Sequence, residues 1–182
     1  MSIPKKADPA KLVISCIMND KKLVESFFQY LEEAFGPVDM MSRWLDFGYT
    51  DYYYKEMGSP LYRKVFVFKN LIRQEELAGI KEKTNEIEKS FSNSTKRNIN
   101  IDPGYLLSSR FILATGKDYS HRIYIGKKIY ADLTLMYSKS RGFTTLPWTY
   151  PDYASESMLS FLSKVRDKYL LDFKSTKGKK YD

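Results

Sequence analysis

Apolar residues enter this chain as short runs and helical stripes in alternation. Lys11 to Met18 is a brief apolar run holding Val and Ile, bounded by Pro9 and by Asn19-Asp20, and it predicts a buried strand. Asn19 or Asp20 can cap the next element. From Lys21 to Phe35 the apolar positions Leu23, Phe27, Leu31 and Phe35, with Val24 and Phe28 beside them, share one helical face, and Gly36-Pro37 supplies the stop. Val38 to Phe47 predicts a second strand, and Gly48 to Pro60 a loop. Leu61 to Ile72 predicts a third strand, in which Val65 and Val67 alternate with Phe66 and Phe68, so both faces should meet apolar material. Gln74 to Phe91 carries Leu77, Ile80, Thr84, Ile87 and Phe91 as an amphipathic stripe. Arg97 to Ile101 predicts a fourth strand, closed by Asp102-Pro103-Gly104 as a turn.

This order of strand, helix, strand, strand, helix, strand predicts an α+β fold. Its expected core is a βαββαβ-like (ferredoxin-like) antiparallel sheet with both helices on one face. Tyr105 to Thr115 fits a helix or a strand equally. His121–Ile125 and Ile129–Tyr137 flank Gly126-Lys127-Lys128 and predict a C-terminal hairpin. In its second strand Tyr130, Asp132, Thr134 and Met136 form a polar face. Leu146 to Pro151 reads as irregular and aromatic, and Ser155 to Leu171 as a last helix with Met158, Leu162, Val165 and Tyr169 on one side. The expected organisation is a flexible N-terminus over residues 1–10, one α+β domain over 11–171, and a basic flexible tail over 172–182.

Composition then narrows the chemistry. The 182 residues are 43% hydrophobic, 29% charged and 15% aromatic, a globular balance too aromatic for a disordered chain. No apolar run approaches the roughly 20 residues of a bilayer span, and no apolar stretch comes after the first lysines as in a signal peptide, so a cytoplasmic location is expected. One Cys and one His leave too few ligands for structural zinc sites or for two-histidine metal and phosphoesterase sites within one chain. Cys16, set in an apolar run, reads as a buried inert thiol.

The net charge of +8 is concentrated. Between Tyr105 and Tyr150 there are seven basic residues against Asp118 and Asp132, and from Lys164 to the end seven against Asp167, Asp172 and Asp182. The first 104 residues are close to neutral. A basic second half invites an anionic partner, either a phosphorylated small molecule or nucleic acid. Four polar, aromatic segments are candidates for its site: residues 50–58, 100–105, 114–122 and 146–153.

In the third segment Lys117 and Arg122 can bind an anion, Asp118 stands three residues before His121 and can fix its tautomer, and His121 can serve as general acid or base. Tyr53, Tyr105, Trp148 and Tyr150 can stack on a planar ligand or equally cover a sheet edge. Asp51, Glu56 and Asp102 can hold a divalent cation, magnesium first among them, or serve as helix caps and turn formers.

The same four segments resemble a bacterial family, domain of unknown function 4416, whose members carry the label of GTP-binding proteins. The resemblance rests on Thr50-Asp51-Tyr52-Tyr53 with Glu56-Met57-Gly58, and on Asn100-Ile101-Asp102-Pro103-Gly104-Tyr105. It continues with Ala114-Thr115, with Lys117-Asp118-Tyr119-Ser120-His121-Arg122-Ile123-Tyr124, and with Leu146-Pro147-Trp148-Thr149-Tyr150-Pro151-Asp152-Tyr153. It spans roughly Lys11 to Arg166. It implies a nucleotide such as GTP as ligand but supplies no catalytic residues. The usual phosphate loop is missing: Gly116-Lys117, Gly126-Lys127 and Gly178-Lys179 each precede something other than Ser or Thr, and there is no Asn-Lys-x-Asp.

The expected function is therefore binding of a small anionic or phosphorylated ligand where the four segments meet. The alternatives are a nucleic-acid-binding module and a non-catalytic interaction domain. The RNA-recognition reading is weakened because Arg63 to Lys69 lacks glycines and the first strand lacks an aromatic.

Overall fold

A computed structural model describes residues 1–49, 53–92 and 97–178. It is an α+β structure built on one antiparallel sheet. The elements are β1 (Ala10–Met18), α1 (Leu23–Phe35), β2 (Val38–Met41), β3 (Leu45–Asp46), α2 (Tyr54–Met57), β4 (Tyr62–Ile72), α3 (Leu77–Ser90), β5 (Ile99–Leu107), β6 (Arg110–Thr115), β7 (Arg122–Tyr124), β8 (Tyr130–Ser138), β9 (Gly142–Thr145) and α4 (Glu156–Gly178). The strands lie in the order β2-β4-β1-β5-β6-β8-β7, with β3 also on β4 and β9 also on β8.

The two central strands explain the layering. β1 is buried along its whole length. Its Leu12, Ile14, Cys16 and Met18 join Phe66, Phe68, Ile99 and Ile101 under α1 (Phe27, Leu31) and α3 (Ile80, Ile87). The intervening Val13, Val65 and Val67 face the other way, where α4 lays Met158, Leu162, Val165 and Tyr169 over them. A strand buried at every position can only sit between two layers, because successive side chains point to opposite faces. α1 and α3 thus share one face, as expected, and α4 covers the opposite one. Among the described residues no helix is long and apolar enough to cross a membrane.

Several local expectations are corrected. Val38 to Phe47 is not one strand. Ser42 interrupts it, its N–H donating to Val65 O and its hydroxyl accepting from Val65 N and donating to Arg43 O. A side chain thereby replaces the next ladder bond, and the strand splits into β2 and β3.

Asp102-Pro103-Gly104 is not a turn either. It lies inside β5, opposite Ser15, Ile14 and Val13 of β1. Two features admit it. At Ile101 both backbone groups on the side away from β1 are taken by α3: Glu88 accepts its N–H, and Lys81 donates to its carbonyl at 2.6 Å. Pro103, two residues on, turns its missing N–H to that same side, and β6 pairs only from Gly104 onward. Gly104 is required by proximity: a Cβ there would lie 2.3 Å from Ile112 O. Tyr105 to Thr115, whose pattern fits helix and strand alike, is the β5–β6 hairpin around Ser108-Ser109.

The last helix does not stop at Leu171 but runs to Gly178, so the expected tail boundary at 172 falls inside it. Its Asp172 accepts from Lys11 Nζ at 2.6 Å and from Lys168 Nζ at 2.5 Å. Lys11 is fully buried and also donates to Asp39 and to Lys69 O. This network fixes the C-terminal part of α4 to β1 and β2.

Candidate functional site

The splaying of β5 from β6 beyond Gly104 opens a cleft of about 670 Å³. Its walls come from all four segments singled out in the sequence: Tyr53 from the first, Asn100 and Asp102 from the second, Ala114–Lys117, Tyr119 and Arg122 from the third, Tyr150–Tyr153 from the fourth. β4 adds Arg63, α3 adds Lys81, Asn85 and Glu88, β6 adds Leu113, β8 adds Asp132, and Arg97, Phe47 and Tyr49 complete the lining.

Charge in the cleft is dense and largely paired. Five basic side chains (Arg63, Lys81, Arg97, Lys117, Arg122) line it with four carboxylates (Glu88, Asp102, Asp132, Asp152). Arg122 is nearly buried. Its Nε donates to Asp132 Oδ2 at 2.9 Å, its Nη1 to Lys117 O at 3.0 Å and its Nη2 to Tyr150 Oη at 3.5 Å, while its guanidinium lies over the Tyr119 ring. Lys81 stands 3.9 Å from Glu88 and 3.7 Å from Asp102, which also accepts from Asn100 Nδ2 at 2.6 Å. Arg97 reaches Glu56 at 3.0 Å and Glu88 at 3.6 Å and lies over the Tyr53 ring. Arg63 pairs with Asp152 and is held between the rings of Phe47 and Tyr153, 5.0 and 4.7 Å from their centroids. Burial pushes the Asp152 and Glu88 carboxyls above their ordinary values, although Arg63 and Lys81, respectively, pull the other way. Burial likewise raises the Tyr53 and Tyr153 phenols, which stay protonated.

The sequence candidates divide. Arg122, Lys117, Tyr53, Tyr150 and Asp102 are brought together on the cleft wall. His121 is not itself on the wall. It is stacked between Tyr119 and Trp148, with ring centroids 6.1 and 4.9 Å away, and its Nε2 lies 3.2 Å from Asp132 Oδ2. The carboxylate that orients it is therefore Asp132 rather than Asp118, which faces the Tyr130 hydroxyl instead. Asp118 lies in the irregular segment before β7, while β7–β8 pairing sets Asp132 directly opposite Arg122.

Trp148 donates its indole N–H to Leu133 O at 2.8 Å and covers β8 rather than the cleft. Together with Thr149, which donates to Thr134 O, it lies against the middle of what the alternation marked as the polar face of β8, where Asp132 and Thr134 are buried while Met136 stays exposed. Tyr105 is in the core with its hydroxyl on Gln74 Oε1. Glu56 is on the rim, paired to Arg97, and does not meet Asp102. Asp51 lies outside the described residues, and among those described no group of three His, Cys, Asp or Glu side chains could hold a metal ion. Cys16 is buried, and burial raises its thiol.

The sequence reading missed Arg63, Lys81, Glu88, Arg97, Asp132 and Asp152. Arg63 had a signal: it shares the period-2 face of Val65 and Val67, an inward position for a charge. Lys81 and Glu88 stand four and eleven residues after Leu77 on the buried side of α3, beside Thr84. Arg97 carried none.

The chain matches the family described as domain of unknown function (DUF4416) over residues 8–169, and it belongs to that family. Comparison with curated proteins and with solved structures gives no match.

Proposed function

Starting from a member of a family with no assigned activity, we propose that this protein binds a small anionic ligand, a phosphorylated metabolite or a nucleotide, in the cleft. One observation carries the reading. Segments far apart in sequence converge on a single hollow of metabolite size, with five basic side chains on its wall and tyrosines at its mouth. Tyr49, Tyr119 and Tyr150 are each about half exposed there and offer rings to a planar group. Arg122, held by Asp132 and the Lys117 carbonyl, presents a fixed fork. His121, 3.2 Å from Asp132, is read as a positioning residue that steadies Asp132 against Arg122. GTP is one ligand of this class, and the chain would have to hold its phosphates by side chains, since it lacks the glycine-rich loop.

The order β2-β4-β1-β5 with α1 and α3 on one face supports reading the first part of the fold as ferredoxin-like, extended by five further strands and α4. The same layering disfavours the RNA-binding alternative: α4 occupies the sheet face on which such modules stack bases.

A thermal-shift screen of nucleotides and sugar phosphates at millimolar concentration tests the proposal. A binder raises the melting temperature by mass action, and Arg122→Met should abolish most of that rise. No shift with any of these ligands would refute it.

A further inference from the structure

We infer that the floor of the cleft is an oxyanion subsite, in which Arg63 and Arg97 receive the acid group of the ligand. The subsite rests on the proposed anion-binding cleft and adds which residues hold the charged end.

The argument is one of unmatched hydrogen-bond capacity. Six buried side-chain nitrogen and oxygen atoms have no hydrogen-bond partner among the described residues. Four of them belong to the cleft lining: Arg63 Nε, Arg63 Nη1, Arg97 Nε and Tyr153 Oη. The three nitrogens can only donate, whereas the Tyr153 hydroxyl, kept protonated by burial, lies beside the Ser15 hydroxyl and the Arg63 guanidinium and can serve either of them. No oxygen of Glu88, Asp102, Asp132 or Asp152 is among the six. The surplus is therefore one of donors, and the group that completes it must be rich in acceptors.

A buried donor left unmade loses its hydration without compensation, so several in one place are not incidental to packing. Arg63 makes the case most strongly. It is 3% exposed, its position is fixed by Phe47 and Tyr153 and by Asp152, yet its Nε and Nη1 have no hydrogen-bond partner among the described residues. Arg97 repeats the pattern beside Tyr53: its Nη atoms pair with Glu56 and Glu88, and its Nε has no partner among the described residues. Both guanidinium groups act on the Tyr53 phenol, and Phe47 packs 5.8 Å from the Tyr53 ring, so the two cations border one pocket floor. A phosphate monoester or a carboxylate has the charge and the acceptors to fill it. The rest of such a ligand would extend toward Arg122 and Tyr150.

Calorimetric titration of the intact protein with inorganic phosphate, and separately with acetate, at constant ionic strength tests this. Wild type should bind phosphate, and Arg63→Lys and Arg97→Met should each weaken it at least tenfold, while Lys139→Met, which removes an exposed charge, should not. Acetate binding with the same losses assigns a general oxyanion site, and its absence assigns phosphate. If Arg63→Lys does not fold, Arg97→Met decides alone. Wild-type affinity in the variants, or no phosphate or acetate heat while nucleotides or sugar phosphates still stabilise the protein, would overturn the subsite and leave the cleft reading standing. No stabilisation by any anion would overturn both.

Discussion

Two buried cations in this chain are treated in opposite ways. Lys11 directs its three N–H groups to Asp39, Lys69 O and Asp172, so its donors are all matched. Arg63 commits one nitrogen to Asp152, and its other two have no hydrogen-bond partner among the described residues. Both sit on strands at the centre of the same sheet, and both are at most 3% exposed. The first network joins β1, β2 and α4, and its one unmatched atom is an acceptor, Asp39 Oδ1. The second lines a hollow. A charge whose donors are closed holds elements together, whereas a charge whose donors are kept open inside a cavity is arranged for something that is not part of the chain.

The largest expected effect separates the two by stability. Lys11→Met should cost about 3 kcal/mol in urea unfolding, since it strands Asp39 and Asp172 with Lys168 alone, and should leave phosphate affinity unchanged. Replacing the other pair together, Arg63→Met with Asp152→Leu, should stay within about 1 kcal/mol of wild type, because burying two apolar groups of similar size avoids the desolvation penalty. It should still lose at least tenfold in phosphate affinity, about 1.4 kcal/mol. If the double variant binds normally, the contrast fails.

A smaller effect sharpens it through pH. Burial alone would raise Asp172, but the hydrogen bonds from Lys11 and Lys168 outweigh it and hold its carboxyl below the ordinary value. Its contribution is present above the ordinary aspartate pKa of about 3.9 and is lost as pH falls through the lowered folded value. Asp152 is raised by burial, so the folded protein takes up its proton more readily than the unfolded chain, and wild type loses stability there as pH rises from the ordinary value through the raised one. Urea midpoints from pH 7 downward should therefore show the advantage of wild type over Asp172→Asn shrinking with acid, and its standing against Asp152→Asn improving. Equal slopes would mean that the two carboxylates are not differently placed. The smallest effect is at His121: His121→Gln should weaken ligand binding by about twofold, because it acts only through Asp132 on Arg122.

Much of the scaffold was legible because its signals were local. The apolar run of β1, the double-sided Val and Phe alternation of β4, and the stripes of α1 and α3 each arise from the period of one element. The β7–β8 hairpin was legible too, and its Lys127 and Lys128 both adopt positive φ in the turn. Asp102-Pro103-Gly104 misled because Pro and Gly are usually punctuation. Here Pro103 is admitted by the end of β6 pairing and Gly104 by the approach of Ile112 O, and both are facts about a neighbouring strand. The convergence of the four segments was readable from their shared residue types. The partners were not: Asp132 meets His121 through strand register, and Asp152 meets Arg63 across the fold. Trp148 looked like a stacking surface because its commitment to Leu133 O is invisible until β8 is in place.

The most direct test of the account is a backbone amide chemical-shift titration of the intact protein with inorganic phosphate. Saturable shifts should gather at residues 62–64, 97–98 and 152–153, with none at Ala10–Val13 or Asp172. Shifts scattered over the exposed lysines, or gathered around Lys11 and α4 instead, would contradict it.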